Sequence, residues 1–562
     1  MPLCLSACVS FPMEILGLHY AIWLVLAAYF AGMLFMGWWS KRGILNQESY
    51  LLGNRQFGSL MMVMHAFGAG THPGNMAGVM SQAAVSGASS IWVSWLWLFG
   101  TPFYWIIAPV IRRMRCLTMA DFFRERFGTS ASVLYIIVAA VGMTVFLASV
   151  LLATTRTVQG VMGKALTEES EIWFYGILFV TTAVFIIYSY WGGIIAAIRT
   201  DMIQGLMIIA LSFIAIPAAF DRVDGMGGVR ATLAAQDGSY LSLFDPKEFS
   251  LLTVLLLSIN APLTALAFPH LMSVCGAGRT EWEGRIGFTY GNILKRVCTI
   301  GWCVLGLCWM VYLLNMGLEI NKDAAFGDSI RGLLRPELQG VMLACVMAAA
   351  MSSGDAVQVT VAGLFSQNIY RVYINPKADE KRLLHVSRVV GVLIALSALV
   401  MAILMRSNLV KAILDYFNIL SLVGISTAMG ILWRRMNTTG MFSSTIMASA
   451  TFLISRYVLD CGRDITIGAP IAVGVLAGVI GSLLTKPPSH EAIEKFYTKI
   501  YVPIGQEYRL ELPLEKAVPQ SCRWFTAGGL FIVKPSRQSL VGFLVTLGIC
   551  LACIPVMLFI LK

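Results

Sequence analysis

Fourteen runs of about twenty mostly apolar residues recur along the chain, and they narrow its possible folds more than any other feature. They lie near 17–39, 60–84, 88–111, 131–155, 172–190, 199–220, 249–269, 286–316, 338–366, 384–405, 409–433, 440–458, 465–485 and 538–561. A helix rises about 1.5 Å per residue, so each run is long enough to cross the ~30 Å hydrocarbon layer of a bilayer. Only 13% of the 562 residues are charged, 57% are hydrophobic, and the mean hydropathy is +0.75; a soluble domain carries about 25% charged residues. A transmembrane barrel would show short segments of alternating polarity instead. The expected fold is an all-α polytopic membrane protein of about 14 transmembrane helices embedded in the lipid bilayer of the cell (plasma) membrane. Its helical core covers 1–485, a hydrophilic cytoplasmic loop covers 486–537, and a final transmembrane helix covers 538–562.

The charge of +11 follows topology rather than nucleic-acid binding. With the N-terminus outside, every second loop faces the cytoplasm. Those loops hold 28 of the 41 lysines and arginines, leaving 13 elsewhere, as the positive-inside rule requires. Both termini are therefore expected outside. Most of the twelve cysteines fall in apolar runs, and Cys550 and Cys553, though spaced as CxxC, read as packing residues. No P-loop, HExxH or zinc-type Cys/His set is present, so neither ATP-driven pumping nor metalloenzyme chemistry has support, and no obligatory protein partner is evident.

Two runs cannot be regular helices. Residues 65–78 read HAFGAGTHPGNMAG, with three glycines and a proline between Gly68 and Gly74, a density that breaks a helix interior. The seventh run carries Pro262 and Pro269. Broken helices at matching places in two halves, about 60–220 and 249–433, point to a transporter binding site near the bilayer midplane. The ninth run contains Ser352, Ser353 and Asp355. An acid at that depth costs roughly 2.5–3.5 kcal/mol on insertion scales. Ala349 lies on the same helix face as the two serines, and a carbonyl with two hydroxyls suits a small hard cation. The alternative is that the serines bond back to their own helix and Asp355 pairs with a neighbour.

Four segments then resemble the sodium:solute symporter family in chain order. They are Glu48–Arg55, the Thr118-x-x-Asp121-Phe122-x-x-x-Arg126-Phe127 loop, the segment from Gly192-Gly193 to Thr200-Asp201-x-x-Gln204, and Met351-Ser352-Ser353-Gly354-Asp355. The resemblance implies an inverted 5+5 repeat core with a leucine-transporter-like fold, and alternating access driven by Na+. It implies sodium ligands from the carbonyls of Gly68, Thr71 and Ala349 and the hydroxyls of Ser352 and Ser353, with Asp201 as a further acid; capping of its helix is the other reading of Asp201. The chain departs from the sugar-carrier pattern at His72, Pro73, Gly74, Asn75, Ser94 and Trp97, so a carboxylate or amino-acid-like solute is expected over a sugar, contacting His72, Asn75, Ser94 and Trp97. The other tryptophans near Trp97 read as packing or an interfacial belt. The expected function is a sodium-coupled symporter importing a small organic solute, not an enzyme. The alternatives are proton coupling through His72 or Asp355, and a transporter-like solute sensor signalling through 486–537.

Overall fold

The computed structural model describes residues 14–40, 46–165, 169–319, 321–406 and 409–562, with side chains at all of these except 40, 188–189, 191–193 and 409–412. Helix dominates, with two short two-stranded sheets at the periphery. Among the described residues ten helices are long and apolar enough to cross a membrane, and Ser59–Gly70 and Leu251–Ala267 are shorter apolar helices. This is fewer than the fourteen spans read from hydropathy, and two departures have clear local causes. The third run is a chain of short pieces, Gly87–Ile91, Trp92–Trp95, Thr101–Phe103 and Tyr104–Arg113; Gly87 has a positive φ of 58° and Pro102 removes a backbone donor. The seventh run is cut to Leu251–Ala267, which ends just before Pro269.

The helix Pro336–Phe365 lies at the centre, packed by Tyr20–Ser40, Ser59–Gly70, Thr129–Val161, Ser170–Phe213 and Glu380–Leu404. Helices at the edge turn apolar side chains outward: Leu476 and Leu484 on Arg463–Leu484, and Leu544 and Phe559 on Arg537–Leu561, are exposed. That outward apolar surface suits lipid.

Both expected breaks are present. The first helix ends at Gly70; Thr71 and His72 are extended at φ −122° and −116°; a second helix, Pro73–Ser86, follows. Proline disfavours the helical region for the residue before it and is well placed to start the next helix. The same rule acts at Phe268, which leaves the helix Leu251–Ala267 before Pro269; the chain resumes as Leu271–Gly276.

Segment 486–537 packs across one end of the bundle. Its helix His490–Tyr501 buries Phe496, Tyr497 and Ile500 against the core, and Phe531 is fully buried. This segment, hydrophilic in sequence, completes its core against the bundle.

Candidate functional site

The first break, the central helix and the long helix Ser170–Phe213 meet at a cluster of oxygens. The Gly68 carbonyl accepts from Ser353 Oγ at 3.1 Å and from the Thr71 N–H at 3.1 Å. Ser352 Oγ donates to Asp201 Oδ1. Thr71 Oγ1 is buried with no hydrogen-bond partner. A Cβ on Gly68 would lie 2.4 Å from Ser352 Oγ and 3.2 Å from Asp201 Oδ1, so only glycine lets these three chains approach. The donors are a carbonyl, hydroxyls and a carboxylate, the ligand chemistry of a hard cation. An orphaned hydroxyl among them is a group that a cation would satisfy. Ala349 is fully buried one turn before the serines, and Asp355 is buried one turn after Ser352. Between them Gly354 carries the ring of Phe185, which a Cβ would strike at 1.4 Å.

Asp201 has a partner the sequence reading missed. His65 Nδ1 lies 2.7 Å from Asp201 Oδ2, and both side chains are fully buried. Helix spacing held the signal, since Gly68 lies three residues after His65 and so shares its face.

The two breaks line one cavity. Ala69 and Gly70 come from the first, Phe268 and His270 from the second, with Trp97, Phe417, Lys295 and Arg296 closing it. Its volume is about 40 Å³, room for a few waters. Trp97 stacks on Phe268 with centroids 5.3 Å apart and leaves its Nε1 buried without a partner. The indoles of Trp92, Trp95 and Trp105 instead donate to Leu243 O, Arg296 O and Thr546 Oγ1, so these three are packing residues. Beside the cavity His72 meets Phe146 edge-on at 4.9 Å, and its Nε2 is 3.5 Å from the Tyr416 hydroxyl. Two expected solute contacts are engaged elsewhere. Asn75 Oδ1 accepts from the His72 N–H at 3.1 Å, capping the second half-helix, and Ser94 Oγ accepts from Thr299.

Lys295 and Arg296 are cavity residues that the loop-charge count took as cytoplasmic, although they lie within the eighth apolar run. They lie inside the helix Glu281–Met316 and are buried. Gly287, Gly291 and Lys295 recur every four residues on one face. A Cβ on Gly287 would meet Met62 at 2.8 Å, and one on Gly291 would meet Val63 O at 2.7 Å. The glycines therefore bring this helix onto Ser59–Gly70. The next position on the face, Lys295, reaches the break and donates to Gly70 O at 2.5 Å.

On the side away from segment 486–537 a vestibule of about 490 Å³ opens over the cavity. Ion pairs edge it, Arg456–Asp415 at 3.0 Å and Arg463–Glu248 at 2.7 Å. Phe417 lines both vestibule and cavity.

Broken helices around a buried polar cavity define a helical membrane transporter. A solved Na+-coupled sialic acid symporter, in a substrate-bound outward-open state, superposes with a TM-score of 0.72 at 18% identity, over 85% of this chain and 100% of that one. A nucleobase-cation-symport-1 family transporter, in a closed conformation, gives 0.50 at 14% identity, over 80% and 98%. The fold is that of the leucine-transporter-like carriers. The family model of the sodium:solute symporter family matches residues 50–448, and the chain belongs to that family. The osmoregulated proline transporter OpuE of Bacillus subtilis (strain 168) is 27% identical over 84% of this chain and 96% of its own. The sodium/proline symporter of Escherichia coli (strain K12) is 24% identical over 83% and 94%. The protein is thus a multi-pass membrane transporter, with Na+ as coupling ion and a small solute as cargo.

Proposed function

We propose that the chain imports a small carboxylate or amino-acid-like solute, with Na+ held by the carbonyls of Gly68, Thr71 and Ala349, the hydroxyls of Ser352 and Ser353, and Asp201 nearby. The observation that carries this reading is the convergence of Gly68, Ser352, Ser353 and Asp201 on one fully buried point beside the broken helix. The proline transport named for two relatives and the sialic acid of the structural neighbour support a solute bearing a carboxylate. The vestibule faces outward and segment 486–537 faces the cytoplasm, with both termini outside, and the broken helices belong to the inverted 5+5 repeat. A ligand shifts a conformational equilibrium only by its differential affinity for the two states, and the coupling is reciprocal. Sodium therefore raises solute affinity, and solute raises sodium affinity by the same factor. Sodium titrations of reconstituted protein test this: Ser352→Ala and Ser353→Ala are expected to weaken apparent sodium affinity about tenfold or more, as loss of one oxygen ligand near 1.4 kcal/mol implies. Unchanged sodium dependence in both variants would sink the ligand set.

The second reading is proton coupling, favoured by the buried His65–Asp201 pair. Solute uptake driven by a pH gradient in sodium-free medium would establish it.

A further inference from the structure

Lys295 and Arg296 are buried basic side chains at the cavity wall, and neither has a carboxylate within 4 Å among the described residues. Lys295 gives one donor to Gly70 O. Arg296 gives Nη1 to Ser94 O at 3.0 Å. A carbonyl satisfies one donor but cancels no charge. Buried charges are ordinarily paired, and every other titratable side chain lining this cavity is a histidine or a tyrosine. The cavity lining holds no aspartate or glutamate to receive an ammonium group. Aromatic rings, among them Trp97, Tyr104, Phe268 and Phe417, share the rest of the wall with Ala66, Val274 and Asn292.

We propose that Lys295 and Arg296 form the carboxylate subsite for a net-anionic organic solute with an apolar body, and that a zwitterionic amino acid is the poorer ligand. The inference rests on the symport reading and sharpens it by naming the solute's charge. The carboxylate supplies the countercharge that the protein omits. The apolar body lies among the rings, which must part to admit anything larger than a few waters. Lys295 also ties solute charge to the break: as the ammonium turns to the carboxylate it releases Gly70 O, which lies between the proposed sodium carbonyls of Gly68 and Thr71. Guanidinium and ammonium differ in role here. Arg296 presents a rigid planar fork held by Ser94 O, whereas Lys295 has spare donors on a flexible stem.

The test uses the full-length chain in proteoliposomes with two matched sets of probes: propionate, alanine and propionamide, and benzoate, phenylalanine and benzamide. Sodium-driven uptake and sodium-dependent thermal stabilisation are measured for each. The plain acids are expected to bind at least tenfold more tightly than the amino acids on the same skeleton, and the amides not measurably. Lys295→Gln is expected to raise the half-saturating concentration of the acid about 30-fold or more, the range seen when one partner of a buried charged pair is removed, with Lys295→Arg recovering part of it. Sodium affinity without solute stays within threefold in both variants. Arg296→Gln also loses its bond to Ser94 O, so it is read beside its own thermal midpoint. Sodium-driven uptake that prefers alanine or phenylalanine, or a Lys295→Gln protein with unchanged preference, overturns the proposal and leaves symport standing. So does sodium binding with no response to any of the six probes. Absence of any sodium effect on the protein overturns the symport reading itself.

Discussion

Gly68 is the tightest position at the ion site. Its missing Cβ leaves the space that Ser352 Oγ and Asp201 fill, and neither can retreat from a fully buried position. Gly68→Ala is therefore expected to abolish sodium-stimulated transport while the helical content, read by circular dichroism, stays within a few per cent of the parent. Retained sodium affinity would mean that the central helix shifts freely, contrary to its enclosure by five neighbours. His65 poses a different question. Removing it takes from the buried Asp201 one of its two hydrogen-bond partners, a change worth roughly 1–3 kcal/mol. His65→Ala should lower the thermal midpoint strongly, and adding Asp201→Asn should restore much of it; a double variant no more stable than the single would show that the pair contributes little. These two residues also show what sequence reveals about a site. Ser352, Ser353 and Asp355 stand out because polarity inside an apolar run is visible in one dimension. His65, Lys295 and Arg296 become site residues only through packing. The loop-charge count takes Lys295 as cytoplasmic although it lies within the eighth apolar run, and the glycines at 287 and 291 that carry it to the break look like ordinary small residues until their neighbour helix is known.

Among the elements, the breaks were legible and the span count was not. Pro73 and Pro269 act on the residue before them, a local effect that needs no tertiary knowledge. The third run is apolar enough to read as a helix, yet Gly87 and Pro102 divide it, and apolar composition does not report backbone continuity. Segment 486–537 was invisible as structure because its core is shared. Arg115 donates to Lys499 O at 3.0 Å and to Pro503 O at 3.2 Å. The Tyr497 hydroxyl donates to Gly430 O at 3.0 Å, and Phe531 N to Leu432 O at 2.9 Å. Glu281 joins three elements: Arg113 holds it through both oxygens at 2.8 and 2.9 Å, Arg285 donates at 3.0 Å, and the Ile504 N–H donates at 2.9 Å. Glu281→Gln keeps the shape and removes the charge. Hydrogen exchange across residues 490–533 is expected to quicken at least tenfold in that variant, while exchange in Arg463–Leu484 stays unchanged. Equal protection in both proteins would show that the segment is held by its apolar contacts alone.

For the whole molecule, the charge asymmetry makes a claim about orientation that can be checked directly. Lys381 and Lys516 are exposed, as are Glu169 and Asp237. In a cysteine-less background, single cysteines at the first two positions are expected to resist an impermeant thiol reagent applied to intact cells, and those at Glu169 and Asp237 to react. The reverse pattern would invert the bundle, and a mixed pattern would change the number of crossings.

The two faces of the cavity are closed by very different amounts of structure. Towards the vestibule the wall is one side chain deep at Phe417. Towards the other face lie the Glu281 junction and the packed 486–537 segment. Turning one ring is fast, whereas displacing packed segments takes microseconds to milliseconds or longer. Labelled solute is therefore expected to exchange with unlabelled solute across the vestibule many times for each molecule delivered to the opposite side, a ratio that exchange and net-flux assays on the same proteoliposomes would measure.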